Sequence, residues 1–323
     1  MIRSSLGSLV RKAPMVPVLI IILVVFSIIS RGFLSVFSIQ SILLDASVLT
    51  VAALGGMLVF LVSGIDLSVG ATVAGASVTA AIVGQLTHNP GLSLGSALLI
   101  GGVIGAINGA LIGFAKFVPF IVTLAMLLVV TALAYLAAAA YSGQGATAGS
   151  VPMLDSILAF GQGVTFGLPN LFPTVIVAVI VIALVLYFTR FGRQIRLVGQ
   201  NEDAARFNGL NVPLIKFFVY TLAGVLSGIA GCLLGMRLGA GNPAGGDSLL
   251  LQVITAVIIG GTTLLGGHGG AIRTLFGALV IVALTQGLST IGFQFWDQNI
   301  VLGFVILLGT QIGRLWGTSS RTA

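Results

Sequence analysis

Charge is what this chain has least of: 7% of its residues are Asp, Glu, Lys or Arg, where soluble domains carry roughly 25%. A chain of 323 residues so poor in charge cannot clothe a water-facing surface, so lipid must be the solvent for most of it. Histidine and cysteine are scarcer still. His88 and His268 lie far apart, and no carboxylates cluster, so general acid–base catalysis has no pair to work with. A single cysteine, Cys232, excludes an intrachain disulfide and a thiolate metal site, and reads as a buried structural thiol. No G-x-x-x-x-G-K-[ST] phosphate loop occurs, so the chain does not hydrolyse nucleotide by that machinery. The run GGTTLLGGHGG (Gly260–Gly270) lacks the lysine, and its lone His268 has no metal-ligating neighbour in sequence. Neither a metal nor a cofactor is expected.

What is present is apolar: 57% hydrophobic residues, with a mean hydropathy of +1.19. The 45 glycines would be ruinous in a soluble helical protein but are tolerated in spanning helices. The formal charge of +7 invites a nucleic-acid partner, but the bases sit at the ends of apolar runs, where membrane topology explains them better. The apolar run from Pro14 to Ile29 follows a basic, polar start and resembles a secretory signal. It lacks a small-x-small cleavage site and reads instead as an uncleaved first span.

A helix needs about 20 apolar residues to cross the hydrocarbon core. Runs of that size fall near 14–30, 42–63, 67–86, 92–114, 118–140, 171–188, 214–235, 249–265, 271–291 and 297–315. The expectation is an all-α polytopic membrane protein of about ten transmembrane helices with both termini in the cytoplasm. That orientation places Arg3, Arg11, Lys12, Lys116, Arg190, Arg193, Arg196, Arg206, Lys216, Arg273, Arg314 and Arg321 inside. Only Arg31 and Arg237 fall outside, a strong positive-inside bias. Trp296 and Trp316 would mark the two interfaces of the last span. The layout is a cytoplasmic segment 1–13, a transmembrane domain 14–315 with a cytoplasmic loop 189–216, and a cytoplasmic tail 316–323. The stretch from Tyr141 to Asn170 reads as extracellular loop with at most a short surface helix.

Glycines recur at Gly101, Gly105, Gly109 and Gly113, beside Gly102 and Asn108, and again at Gly224, Gly228, Gly231, Gly235 and Gly239. Each set lays bare backbone along one helix face, for close packing or for sliding. The segment SGIDLSVGAT (Ser63–Thr72) interrupts an apolar stretch, with Asp66 placed to cap a helix starting at Leu67. The acids Asp45, Asp66, Asp155, Glu202, Asp203, Asp247 and Asp297 all map to span ends or loops, poor equipment for a carrier coupled to an ion gradient. The one strongly polar stretch is RFGRQIRLVGQNEDAARFNGLNVPLIK (Arg190–Lys216). Within it, Glu202 and Asp203 ahead of Ala204 and Ala205 favour a short helix that Gly209 can end.

Four motifs carry a resemblance. They are GIDLSVG (Gly64–Gly70), PFIVTLAM (Pro119–Met126), RFGRQIRLVGQNEDAARFNGLNV (Arg190–Val212) and AVIIGGTTLLGGHGG (Ala256–Gly270). In their order and spacing, across about Ser41–Ile312, the chain resembles the permease subunits of bacterial ABC importers, in the ribose/galactose/arabinose branch. The resemblance implies the ABC importer permease fold in the bacterial inner membrane. It implies two cytoplasmic ATPase subunits, a second permease in a homo- or heterodimer, and an extracytoplasmic solute-binding protein. Asn201, Glu202, Asp203, Ala204, Ala205, Arg206 and Gly209 would form the helix that couples to the ATPase. Gly64, Asp66, Ser68, Gly70, Asn108, Phe120, Thr123, Gly260, Gly261, Gly266 and Gly267 would shape the path or its gating. Two departures stand out. Ser63 replaces the family's usual glycine, and Leu250 and Gln252 replace two acids at the outer end of the eighth helix. A secondary transporter of a small polar solute, driven by an ion gradient, is the competing reading. The cargo itself is open.

Overall fold

The structure, a computed structural model, describes residues 15–143 and 149–318, with side chains as far as Leu307 in the last helix. The segment 1–13, the tail end 319–323 and the side chain of Trp316 lie outside the described residues. Each apolar run contains a helix. In chain order the helices are α1 (Met15–Ile29), α2 (Val36–Leu61), α3 (Val69–Thr87), α4 (Pro90–Gly113), α5 (Pro119–Ser142) and the short α6 (Asp155–Gly161). There follow α7 (Phe172–Phe188), α8 (Arg190–Gln200), α9 (Glu202–Phe207), α10 (Val212–Leu238), α11 (Leu249–Ile259), α12 (Ala271–Thr290) and α13 (Phe295–Thr318).

Six of these, α2 to α5, α10 and α12, are long and apolar enough to cross a membrane. A seventh crossing arises if α7 and α8 count as one span, bent by 74°. Of the other apolar helices α1 and α11 are shorter, and α13 is described with side chains only over Phe295–Leu307. At 1.5 Å per residue the 11 residues of α11 reach only about 16 Å, roughly half the hydrocarbon thickness. The run 249–265 is therefore not one straight helix. It stops at Ile259, where the Thr262 amide turns back to the Val257 carbonyl at 3.1 Å and Gly261 takes φ +81°.

Helix starts follow local chemistry. Asn89 and Asn211 accept hydrogen bonds from the Leu92 and Leu214 amides, each at 3.2 Å, ahead of prolines in the first turn. Proline there has no amide that needs a partner. Ser35 caps α2 in the same way, through the Ser38 amide.

Helix α2 is the axis of the bundle, and the stretch that best fits a span is 78% buried. It packs on α10, α12, α11 and α7. The two glycine faces meet at Gly101 and Gly105 with Gly224 and Gly228: α4 and α10 form the most extensive helix pair in the fold, running antiparallel, while Gly231 packs on α3. A Cβ on Gly101 would strike the Gly224 carbonyl oxygen, and one on Gly224 would strike that of Gly101. Farther along, a Cβ on Gly109 would sit 2.7 Å from the Phe217 oxygen, and one on Gly113 2.5 Å from that of Pro213. Where lipid removes the hydrophobic drive between helices, backbone contact of this kind supplies dispersion that larger residues would block. Helix α5 lies at the other extreme, with Leu128, Leu133 and Leu136 largely exposed as on a lipid-facing helix.

Beyond the helices, residues 149–171 hold more order than a loop. Helix α6 sits among two small antiparallel pairs: β1 (Val151–Pro152) with β4 (Ala240–Gly241), and β2 (Val164–Thr165) with β3 (Leu168–Pro169). Gln85 donates to the Pro152 and Met153 carbonyls, tying this layer to α3.

Candidate functional site

Two of the four sequence motifs meet at one point with the residues just ahead of a third. Helix α2 ends at Leu61, and its carbonyl accepts a hydrogen bond from the Gly267 amide at 3.0 Å. Two residues on, Ser63 adopts φ +57° and sets its hydroxyl 3.1 Å from the Gly199 carbonyl and 2.8 Å from that of Leu265. Gly199 lies in the last turn of α8, so the broken segment, the polar loop and the glycine turn are joined through backbone groups. No side chain fits there. A Cβ on Gly199 would fall on the Leu61 carbonyl and 2.6 Å from the Gly267 nitrogen. One on Gly266 would fall on the Ser63 hydroxyl, and Gly266 and Gly267 both hold positive φ. Serine in the left-handed region costs about 1 kcal/mol relative to glycine. Its two hydroxyl contacts offset that here, which gives the departure at Ser63 a physical reason.

Behind the junction the break is fixed by a buried polar network. The Ile65 carbonyl accepts from the Tyr220 hydroxyl at 3.2 Å and from Thr123 at 3.4 Å. Asp66 accepts from the Ser68 amide at 2.8 Å and from its hydroxyl at 2.6 Å. Asn108, buried on the glycine face of α4, donates to the Ser68 hydroxyl at 3.0 Å, and its own carbonyl oxygen has no partner among the described residues. Burial at this turn raises the Asp66 carboxyl above its ordinary range, while the two Ser68 hydrogen bonds pull it down. Helix α3 starts at Val69, with Ser68 as the cap position, two residues later than the sequence suggested. Asp66 thus ties the turn that precedes the helix. Gly64 leaves room for the Tyr220 hydroxyl, and Gly70 for the Gly246 carbonyl, each 2.5 Å from where a Cβ would stand.

Not every residue singled out from sequence belongs to this cluster. Phe120 is 50% exposed on the outside of α5. Gly260 packs against the Arg273 carbonyl of α12, and Gly261 faces open space.

The polar stretch leaves the bundle at Thr189, whose hydroxyl accepts from the Gly192 amide at 3.1 Å. Helix α8 is amphipathic. It buries Gly192, Ile195, Val198 and Gly199, while Arg193 and Gln200 face outward. Arg196 lies over the Tyr187 ring at 5.2 Å. Asn201 breaks the chain into extended backbone and caps α9, its side chain accepting from the Ala204 amide at 2.9 Å. Glu202 pairs with Arg206 on its own helix and with Lys216 of α10 at 2.7 Å. Ala205 is buried beneath, whereas Asp203, Ala204 and Arg206 are exposed. The Gly209 amide closes on the Arg206 carbonyl at 2.9 Å with φ +78°. Phe207 projects from this unit 92% exposed, an aromatic ring that none of the described residues covers. Beside α9 a cleft of about 330 Å³ reaches the α4–α5 turn, with Lys116, Arg206 and Lys216 on its walls.

At the far end of α2, one expectation needs correcting. Asp45 lies neither at a helix end nor in a loop. It is in the body of α2 and forms an ion pair with Arg237 in the last turn of α10. From Asp45 to Leu61 is about 24 Å of helix, so this pair and the junction occupy opposite parts of the bundle. The signal was in the sequence. An acid within SILLDASVLT is an ionisable residue inside an apolar run, which by default marks a functional position.

A many-helix apolar bundle with one polar segment packed at its end, and with helices sealed backbone to backbone around a break, is the architecture of a multi-pass membrane protein. Residues 38–309 match the family described as branched-chain amino acid transport system / permease component, and the chain belongs to it. It is 35% identical over 296 residues to the ribose import permease protein RbsC of Escherichia coli K12, covering 91% of each chain. It is 36% identical over 300 residues to RbsC of Bacillus subtilis 168, covering 92% of this chain and 90% of that one. To the fructose import permease protein FrcC of Rhizobium meliloti it is 35% identical over 304 residues, 91% of this chain and 83% of the other. No solved structure matches it. The chain is a multi-pass protein of the bacterial inner membrane.

Proposed function

We propose that this chain is the membrane-spanning permease subunit of an ATP-binding-cassette importer. It passes a sugar or sugar-like solute, delivered by an extracytoplasmic binding protein, and is driven by separate ATPase subunits. The observation that carries this reading is the junction of Leu61, Ser63, Gly199 and Gly266–Gly267. It makes the polar loop a lever: a displacement of α9 is transmitted through α8 to the break at Ser63–Ser68 and to the α11–α12 turn with no compressible side chain between. The ribose and fructose import permeases among its relatives support a sugar as cargo.

In this reading the helices make ten crossings with both termini in the cytoplasm, α1, α11 and α13 completing the set, and the loop 189–216 faces the cytosol. Helix α9 with its flanks, from Asn201 to Gly209, docks on the ATPase, with Phe207 as its apolar anchor and Lys116, Arg206 and Lys216 around it. A second permease, the same or a different chain, completes the path. Gly64, Asp66, Ser68, Gly70, Asn108 and Thr123 set the geometry of the break, and Gly260, Gly261, Gly266 and Gly267 that of the facing turn. An ion-gradient carrier would keep a carboxylate open to the coupling ion, whereas Asp45 is held by Arg237 and Asp66 by the Ser68 amide and hydroxyl.

The test is deletion of Asn201–Arg206 in the chain co-expressed with its ATPase and binding protein. Membrane insertion should persist while ATPase co-purification and uptake are lost. Uptake that survives the deletion, or uptake by the chain alone under a proton or sodium gradient, would overturn the assignment.

A further inference from the structure

The Asp45–Arg237 pair opens onto a cavity of about 230 Å³ between α2, α10, α11, α12 and α13. None of the residues assigned from sequence to coupling or to the path lines it, although Gln252, one of the two departures from the family's acids, does. As a structural tie the pair would be self-sufficient: Arg237 complements the C-terminal dipole of α10, and the pair fastens α10 to α2. The rest of the wall is what that account leaves unexplained. Three glutamines from three different helices, Gln252, Gln286 and Gln298, turn toward the same space, with Ser248 and Ser289 beside them. The side chains of Ser248, Gln252 and Ser289 make no hydrogen bond to any described residue. Polar groups among membrane helices are retained where they face a water-filled route or a solute, because lipid offers them nothing.

We infer that this cavity is a solute-contact site on the translocation path, selective for a neutral polyhydroxylated molecule of about monosaccharide size. The inference rests on the permease reading above and assigns it a place of contact. Charge sets the class. The Asp45 carboxylate is matched by the Arg237 guanidinium and no other ionised group among the described residues lines the space, so an anion or a cation would enter without a free counter-charge. Hydrogen bonding sets it further. An amide offers a donor and an acceptor side by side, and a hydroxyl is both at once, so the wall matches vicinal hydroxyls of either orientation. Among the described residues no aromatic ring lines the space to stack on a sugar face, and Val48, Leu234, Leu249 and Val282 supply its apolar wall. Contact of that quality is weak, as a transit site requires: favourable enough to admit the solute and loose enough to release it.

The experiment uses the full chain in proteoliposomes, where Cys232, the sole native thiol, is buried and 4% exposed. Ser248→Cys and Ser289→Cys are each labelled with a membrane-impermeant methanethiosulfonate, with D-ribose, D-fructose, D-allose or L-arabinose present in turn. At least one of the four should slow labelling at both positions several-fold. Labelling of Phe207→Cys, at the other end of the bundle, should be unaffected. Adding Gln252→Leu should raise the half-protecting sugar concentration about tenfold, the loss of roughly one good hydrogen bond. Labelling rates indifferent to all four sugars would overturn the inference, as would protection that Gln252→Leu leaves unchanged. The permease reading is decided separately, by uptake in the assembled complex. A chain that shows protection yet never transports with an ATPase keeps the contact site and loses the importer.

Discussion

At Leu61 the end of α2 is held largely by backbone: a carbonyl on the Gly267 amide, Gly199 pressed against it, and the Ser63 hydroxyl bridging to Gly199 and Leu265. About 24 Å away, at Asp45, the same helix is held by side chains around an open space. The first region has no room, and the second has room lined with donors and acceptors. A part that transmits displacement must be incompressible, and glycine contacts supply that. A part that meets a solute must be empty and polar, and glutamines with an ion pair supply that. The motifs that carry the family resemblance crowd the first region and avoid the second, which fits machinery shared by many permeases at one end and cargo-dependent walls at the other.

The comparison breaks most readily in the close-packed half. Gly224→Ala places a methyl on the Gly101 carbonyl and forces α4 from α10. Overpacking of this sort costs on the order of 3 kcal/mol. The variant should melt well below the wild type in detergent, and an unchanged melting temperature would mean that the two glycine faces slide apart freely. In the open half, Asp45→Leu alone strands the Arg237 guanidinium, whose side chain is 32% exposed, and should cost about 1–2 kcal/mol. The double variant Asp45→Leu/Arg237→Leu should recover that stability and still transport poorly. Stability and transport recovering together would reduce the pair to a structural tie.

Smaller effects sharpen the boundary between the two regions. Ser63→Ala keeps the left-handed backbone and loses both hydroxyl contacts, so it should destabilise by about 1–2 kcal/mol. Ser63→Gly relieves the backbone as it loses the hydroxyl and should stay within about 1 kcal/mol of wild type. Calorimetric melts of the two variants decide it, and the reverse order would contradict the account of Ser63. Least is expected of Asn201→Ala, which removes the cap of α9 for about 1 kcal/mol. A helix of six residues outside the bundle can fray without unfolding the rest, so the expected readout is ATPase association weakened a few-fold at an unchanged melting temperature.

Much of the helical framework was legible in the sequence because apolar runs and terminal asparagines and prolines are local signals. The apolar runs near 42–63 and 214–235 became α2 and α10, and the two glycine periodicities did find a close-packed use. That they would pack against each other was not legible, since periodicity names a face and not its partner. The break at Gly64–Gly70 was visible as glycines and an acid, but the start of α3 was misplaced by two residues, because Asp66 satisfies the Ser68 amide before the helix begins. The length of α11 was overread, because hydropathy continues through Thr262–Leu265 where glycine backbone has already turned. The junction could not be read because its parts lie 136 and 202 residues apart along the chain. The polar cavity was missed for a different reason. Its glutamines are scattered singly over three helices, and Asp45 was counted as an end residue when α2 begins nine residues earlier, at Val36.

The account depends above all on which side of the membrane the α8–α9 unit faces. Phe207→Cys, at a position 92% exposed, in a chain whose one native cysteine is buried, allows this to be read with a membrane-impermeant maleimide. Labelling in inverted vesicles and none in intact cells is the predicted result. Labelling of intact cells from outside would place the lever beyond reach of any cytosolic ATPase and contradict the account.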